Sequence, residues 1–153
     1  MKKLSIAALF SITLAGCMGY VPGQQSYWDA QIKEMCGRDG GGKVFEVVSL
    51  NSQQYSRLLN KFGQISPPLE SKAGGDVPIV QRFISTYIRR SDPEIRRDEL
   101  SVIRKSDGKI LGLSVYYSRV GGDLISLHPS HFSCPEKPVD IFTAVIRQAG
   151  EVK

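Results

Sequence analysis

The sequence predicts an α+β domain: an antiparallel β-meander of three to four strands packed with an N-terminal helix and held by one disulfide. Segments rich in β-branched and aromatic residues lie between residues 80 and 119 and are separated by short turn signals. A segment with helical spacing of apolar residues precedes them. The 153 residues suit one domain with an appendage, and 41% apolar with 23% charged residues is ordinary for a globular chain. These values exclude a disordered polymer, a collagen-like repeat and a multi-pass membrane protein.

The first 16 residues are predicted to be a secretory leader rather than part of the fold. Lys2 and Lys3 are followed by an apolar run of about ten residues, residues 4–13. A membrane-spanning helix needs about 20 apolar residues, so this run is too short to cross a bilayer. Removal of the leader takes away two of the lysines behind the formal net charge of +5. The mature chain is therefore only mildly basic.

The end of this leader, Leu14-Ala15-Gly16-Cys17, resembles the lipobox of bacterial lipoproteins. The resemblance implies that Cys17 receives a diacylglyceryl group, becomes the first mature residue and is acylated on its amine by a chain such as palmitate. Thioether formation needs a nucleophilic sulfur, and two or more chains anchor a protein stably in a membrane. Met18 stands where an Asp would retain the protein in the inner membrane, so the outer membrane facing the periplasm is favoured. The alternative is an ordinary signal peptide with an incidental Cys.

The mature chain divides into a lipidated tether, residues 17–25, and a single α+β domain, residues 26–150. Ser26 with Asp29 has the form of a capping box and predicts the start of a helix. Gly37 predicts its end. The apolar residues with helical spacing in this segment are Trp28, Ile32, Met35 and Cys36.

The next elements are predicted from local composition. Residues 40–42 form a glycine turn and residues 43–50 a strand. Residues 51–63 read as a short helix with Asn51 or Ser52 as its cap, and residues 64–78 as an irregular loop.

The meander is predicted over residues 80–90, 96–106 and 109–119. Asp107-Gly108 favours a two-residue turn that sets Val102 opposite Leu113, whereas a three-residue loop would set Ser101 there. Only the first register gives one apolar face, so we expect it. The helix then covers this face and the other stays wet. The expected core residues are Leu100, Val102, Leu111, Leu113, Val115 and Tyr117, and the expected residues of the other face are Ser101, Ile103, Ser114 and Tyr116.

The cysteine count predicts one disulfide. If Cys17 carries lipid, only Cys36 and Cys134 remain, and an exported chain meets an oxidising compartment. A bridge between them closes a loop of about 100 residues, which chain-entropy arguments value at up to about 4.7 kcal/mol. Cys134 is expected in a loop over residues 124–138, and a short helix is expected over residues 141–146.

The sequence carries no catalytic constellation that we can identify, and we predict no catalytic residue, metal or cofactor. His128, His131 and Cys134 have metal-ligand spacing on paper. However, Pro129 interrupts local helix geometry and the thiol is assigned to the disulfide. Ser130 beside the two histidines lies in neither a GxSxG nor an SxxK motif.

A cluster of basic residues lies in the meander and is interleaved with acids. Such a mixture is either a solvated rim or a surface for an acidic partner such as lipid phosphates, lipopolysaccharide or an acidic protein. No nucleic-acid partner is expected. The residues of the cluster are Arg89, Arg90, Arg96, Arg97, Arg104 and Lys105.

Three groups of residues resemble those of a group of small proteobacterial lipoproteins to which no activity is assigned: Tyr27 to Asp29 with Cys36 and Asp39 to Gly41; Ile103 to Lys109 with Gly112; and Gly121 to Asp123 with His128 to Ser130 and Phe132 to Pro135. The resemblance covers most of the mature chain. It implies one folded unit and the pairing of its two cysteines, and it transfers no functional residue except Cys17.

Three functions follow as hypotheses. The first is a lipid-anchored envelope domain with a non-catalytic binding or accessory role. The second is an inhibitor or immunity lipoprotein that neutralises an envelope-attacking enzyme. The third, an envelope hydrolase, would require His128 and His131 to line a deep pocket with a third polar group.

Overall fold

A computed structural model describes residues 24–123, 128–137 and 139–150. The predicted leader and the lipidation site Cys17 lie outside these residues. The protein is an α+β domain, as predicted. Its elements in chain order are α1 (Gln24–Asp39), β1 (Gly41–Val44), β2 (Val48–Leu50), α2 (Ser52–Ser56), a 3₁₀ turn (Glu70–Lys72), β3 (Ile79–Arg89), β4 (Glu94–Arg104), β5 (Ile110–Val120), β6 (His131–Cys134), α3 (Ile141–Val145) and β7 (Ile146–Gln148).

The main sheet has the order β1-β5-β4-β3 and is antiparallel, with β6 also paired to β5. The predicted meander is therefore confirmed as β3, β4 and β5. The predicted strand over residues 43–50 is wrong in extent, because β1 joins the main sheet while β2 pairs in parallel with β7. The glycine turn before it is also wrong at Gly41 and Gly42, which begin β1. Strand β6 occupies part of the predicted loop, and β7 was not predicted.

Helix α1 is longer than predicted at both ends. It includes Gln24 and Gln25, which we assigned to the tether, so Ser26 lies inside the helix and is not its N-cap. It continues past Gly37 to Asp39. The helix ends where the Gly40 amide still donates to the Cys36 carbonyl at 2.8 Å. A Cβ on Gly40 would lie 2.6 Å from the Cys36 Sγ, so this close approach needs glycine.

The two short helices begin at or near the predicted positions, but the predicted helix over residues 51–63 is wrong in extent because α2 ends at Ser56. Asn51 caps α2 in a full capping box with Gln54, one of the two predicted caps. The predicted terminal helix is α3, whose cap Asp140 accepts from the amides of Phe142 and Thr143. The helix is one residue shorter than predicted because Ile146 starts β7.

The predicted register between β4 and β5 is wrong. Ser101 lies opposite Leu113, as the rejected alternative required. The hairpin closes between Arg104 and Lys109, where the Arg104 amide donates to the Lys109 carbonyl at 2.9 Å. The register then shifts beside Val102, which places one extra β5 residue against β4. The single-apolar-face criterion failed because both faces of these strands are covered.

Two apolar cores lie on the sheet. One lies against α3, and its buried residues are Leu50, Leu58, Ile79, Val102, Leu111, Ile141, Val145 and Ile146. The other lies against α1 and comprises Ile32, Ile95, Val115 and Tyr117. The predicted wet face is therefore wrong at this part of the sheet, where Ser101, Ile103 and Ser114 are buried. Leu100 and Leu113, predicted in the core, are only partly buried.

The predicted disulfide joins Cys36 to Cys134, with a Cα–Cα distance of 6.0 Å across 98 residues of sequence. It links α1 to β6. In the described part of the chain, no helix has both the length and the apolar character needed to cross a bilayer.

Candidate functional site

The structure divides the six predicted basic residues among separate places. They lie on or next to the long strands β3 and β4, and Arg104 and Lys105 are at the hairpin end of β4. Arg104 pairs with Glu46 and, at 3.0 Å, with Asp107. The Lys105 Nζ donates to the Gly74 carbonyl at 2.5 Å. This end therefore has a mixed-sign rim rather than a uniformly basic surface.

Like Arg104, two further residues of the set have acidic partners. The Arg96 Nε lies 3.5 Å from the Glu94 carboxylate. Arg97 pairs with Glu99 at 2.8 Å and with Asp39 at 3.1 Å. Because Asp39 is the last residue of α1, Arg97 ties this helix to the sheet.

The pKa values of Asp39, Tyr117 and Arg97 are shifted from their ordinary values. Burial raises the pKa of Asp39, but hydrogen bonds from Tyr117 (2.8 Å) and Arg97 outweigh it, so the pKa lies below its ordinary value. Burial and the hydrogen bond to Asp39 raise the pKa of Tyr117. The hydrogen bond to Glu99 raises the pKa of the Arg97 guanidinium. We assign this network to packing, since each charge has a partner.

Arg89 and Arg90 differ from the three paired arginines Arg96, Arg97 and Arg104. The Arg89 guanidinium lies 5.5 Å from the centre of the Trp28 ring and donates to the Asp92 carbonyl at 2.9 Å. The exposed Arg90 guanidinium lies 4.5 Å from the centre of the Tyr87 ring. Within the described ranges, no carboxylate forms an ion pair with either one. The end of β3 therefore carries positive charge that its surroundings do not neutralise.

A buried ion pair that the sequence analysis missed joins α1 to β5. Arg119 is only 2% exposed, and its Nε donates to the Asp29 carboxylate at 2.6 Å. The same guanidinium donates to the Ser130 hydroxyl at 2.9 Å and to the Gly121 carbonyl. The signal was present in the sequence, because an arginine in a strand of buried residues requires a partner.

Ser130 belongs to this network. Its amide donates to Asp123 at 2.6 Å, and the Gln25 side chain donates to the other Asp123 oxygen at 2.7 Å. The Ser130 amide is the main reason that the pKa of Asp123 lies below its ordinary value. The Ser130 hydroxyl accepts from a guanidinium instead of facing a general base. Its contacts join Arg119 and Asp123, which is a structural role.

Two other residues of this segment, His131 and Cys134, line an open cavity of about 440 Å³ together with Lys33 and Glu136, and His128 does not line it. His131 is exposed on β6 and pairs with Val120 of β5. Cys134 is held by the disulfide. Across residues 24–123, 128–137 and 139–150, no group of three His, Cys, Asp or Glu side chains could hold a metal ion.

A cleft of about 850 Å³ lies beside β2 and the β4–β5 hairpin. Most of the charged side chains in its walls pair with acids or bases, whereas Lys105 donates to the Gly74 carbonyl. Arg57 pairs with Asp76, and Glu46 accepts from both Arg104 and, at 2.6 Å, Lys109. The hydrogen bond from Lys109 is the largest cause of the lowered pKa of Glu46. The cleft therefore offers a ligand no uncompensated charge of either sign on the paired side chains.

The outer part of β3 is an exposed apolar surface. Seven consecutive residues, 82–88, are exposed. They include four large apolar side chains with exposed fractions of 40–55%: Phe83 55%, Ile84 46%, Tyr87 40% and Ile88 42%. Strand β3 is the last strand of the sheet, so β4 covers only one of its sides. Folded proteins usually protect such an edge, which makes an open apolar edge a candidate for interaction.

Only the first part of this edge is covered. The Gln81 amide donates to the Pro68 carbonyl at 2.9 Å, and Arg82 pairs with Glu70 of the 3₁₀ turn at 2.7 Å. In the described residues, no strand pairs with the outer side of β3 beyond Gln81. Comparisons with models of protein families, with curated proteins and with solved structures find no match to this chain.

Proposed function

We propose that this chain is a lipid-anchored, periplasm-facing envelope protein that binds another envelope component without catalysis, through the outer part of β3. The observation that carries this proposal is the run of seven exposed residues, 82–88, on an edge strand with four large apolar side chains. An exposed apolar strand edge is a ready template for pairing with another chain.

The anchor rests on the lipobox-like residues 14–17 and on the cysteine arithmetic. The Cys36–Cys134 bridge in the structure suits an oxidising compartment, in which disulfides persist. Together these support placement in the envelope. Mass spectrometry of the mature protein should find acyl chains on Cys17 and no free thiol. An unmodified Cys17 would remove the anchored part of the proposal.

The binding part is tested in intact cells by a photo-crosslinking residue placed at Ile88. A matched probe replaces Phe45, which is also an exposed large apolar residue but lies outside β3. We expect a discrete adduct from position 88 and none from position 45. Equal yields at both positions, or no adduct at position 88, would contradict binding at this edge.

The crosslinked partner also separates the two binding hypotheses. An envelope protein of the same cell supports the accessory role. If adducts appear only when cells meet an envelope-attacking enzyme, and deletion sensitises cells to that enzyme, the chain is an inhibitor or immunity lipoprotein.

A further inference from the structure

We propose that the occupant of the β3 edge is an extended peptide segment that adds an antiparallel strand to the sheet, with apolar residues along its length and acidic residues at its N-terminal end. This inference rests on the proposed binding function and adds the chemistry of the partner. Strand addition uses main-chain hydrogen bonds for affinity and alternate side chains for specificity.

The backbone groups available to such a segment follow from the ladder. In an antiparallel pair, every second residue directs both its N–H and its C=O away from the neighbouring strand. Gln81 does so, because its amide donates to Pro68, outside β4. The alternation continues through the regular pairing as far as Tyr87, before the register shifts. Phe83, Ser85 and Tyr87 therefore direct three donors and three acceptors outward, and we call these three residues the free edge.

The side chains beside the free edge are apolar on both faces of the sheet. Phe83 and Tyr87 lie on the face that β4 continues with Leu100 and Arg96. Ile84 lies on the opposite face, across from Glu99. An added strand would therefore place apolar side chains next to Phe83 and Tyr87 on one face and next to Ile84 on the other. A segment rich in β-branched residues fits this environment.

The arginines at the end of β3 indicate which end of the added segment is acidic. Strand β3 and the next residue contain three arginines and no acid: Arg82, Arg89 and Arg90. Arg82 is paired with Glu70, whereas Arg89 and Arg90 have no carboxylate partner among the described residues. An antiparallel strand brings its N-terminal end to this end of β3. Carboxylates there would pair with the two guanidiniums.

The same charges argue against a second copy of this chain as the occupant. Two β3 strands would bring two identical sets of arginines, without acids of their own, to one short edge. Like charges at an interface disfavour association, whereas an acidic partner satisfies them. We therefore do not expect a homodimer paired through β3, and the test below would detect one.

The test uses the full lipidated chain in detergent micelles. The probe is a fluorescent eight-residue peptide of two glutamates followed by alternating valine and threonine. One control peptide carries lysines in place of the glutamates. A second carries N-methyl groups on every second backbone nitrogen, which removes outward hydrogen-bond donors without changing the side chains.

We expect saturable binding of the glutamate peptide, and slower amide exchange at Phe83, Ser85 and Tyr87 in its presence. Both control peptides should bind about tenfold more weakly or not at all. Arg90→Glu should weaken binding of the glutamate peptide about tenfold, since Arg90 is exposed and the reversed charge repels the carboxylates. The matched variant Lys43→Glu makes the same charge change on β1, at the opposite edge of the sheet, and should leave affinity nearly unchanged.

Several results would overturn the inference. They are equal affinity for all three peptides, equal losses in Arg90→Glu and Lys43→Glu, or a concentration-dependent dimer whose amides are protected at the free edge without peptide. If the crosslink at position 88 forms in cells but no peptide binds, the partner is not an extended acidic segment and the proposed function stands. If the peptide binds as expected but cells give no adduct, the edge chemistry stands and the proposed function fails.

Discussion

Strands β3 and β5 have the same length and similar composition, but they occupy opposite environments. Both span 11 residues and are rich in β-branched and aromatic side chains. Strand β5 has neighbours along both of its sides, namely β4 on one and β1 with β6 on the other. It exposes one residue, Ile110, whereas β3 exposes seven in succession.

The difference shows that position in the sheet, not strand composition, decides which apolar residues stabilise the fold. Strand β5 is covered by α1 on one face and by α3 near its start, and it holds the buried Arg119. Strand β3 is held mainly by β4. Substitutions around β5 should therefore reduce stability, whereas substitutions on outer β3 should reduce binding.

The largest expected effect is removal of the disulfide that staples the β5 side of the sheet to α1. Replacing Cys36 and Cys134 together by alanine should lower the free energy of unfolding by about 2–5 kcal/mol, because a crosslink over so long a loop restricts the unfolded chain. Equilibrium urea unfolding measures the loss. A reducing agent should destabilise the protein with its native cysteines but not the double variant. A urea midpoint of the double variant equal to that of the native protein would contradict the prediction.

The direct comparison of the two strands comes next. Leu111→Ala in β5 should cost about 3 kcal/mol, because the fully buried side chain packs in the core against α3. Ile84→Ala removes a side chain of similar volume from a half-exposed position of β3. It should lower the free energy of unfolding by at most about 1 kcal/mol. Urea midpoints of the two variants decide this, and equal losses would refute the contrast between the strands.

The next largest loss of stability should come from breaking the buried ion pair between Asp29 and Arg119. Asp29→Ala leaves the Arg119 guanidinium buried with only Ser130 and Gly121 as partners, and should cost about 2 kcal/mol. Glu34→Ala removes the same charge from an exposed position of α1 and serves as the control. Thermal unfolding of both variants tests the pair. Losses of similar size would show that helix charge, and not Arg119, is responsible.

A smaller effect is expected where α3 lies on β5. A Cβ on Gly112 would lie 2.5 Å from the Val145 Cγ2, so Gly112→Ala should cost about 1–3 kcal/mol by forcing α3 away. Gly37→Ala is the control, because a Cβ there meets nothing within 4 Å inside a helix. It should stabilise the protein by about 0.5–1 kcal/mol. Urea unfolding of both variants measures the two changes in the free energy of unfolding. Changes of the same sign would contradict close packing of α3 on Gly112.

The smallest expected effect on stability is at the end of β3. Arg90→Glu should change the free energy of unfolding by less than about 0.5 kcal/mol, since Arg90 is exposed and its contact with Tyr87 is a surface one. Its effect on the binding described above should be far larger. Chemical denaturation of the purified variant provides the measurement, and a loss above about 1 kcal/mol would make Arg90 a structural residue.

Much of the fold could be predicted because its signals are local. The three meander strands, the Asn51 cap and the terminal helix follow from residues within a few positions of each other. The pairing of Cys36 with Cys134 was predicted from the cysteine count and the expected oxidising compartment. The register did not follow, because a criterion of one apolar face assumes one covered face, and α3 covers the second.

The candidate site was predicted only in part. Arg89 and Arg90 were among the predicted basic residues, but sequence could not separate them from Arg97, whose charge is used in packing. Outer β3 was predicted as a strand without any indication that it is an edge. Which strand is outermost depends on where β1 and β6 pair. Both pair with β5, which leaves β3 at the edge.

The amino-acid sequence alone determined the class of fold, the candidate anchor at Cys17 and the identity of the bridged cysteines, because composition, motif and count are properties of the chain. Only the tertiary structure decided which strand is covered and which is open. That outcome depends on pairing between residues far apart in sequence, such as Gly41 with Val115, and local preference carries no information about it.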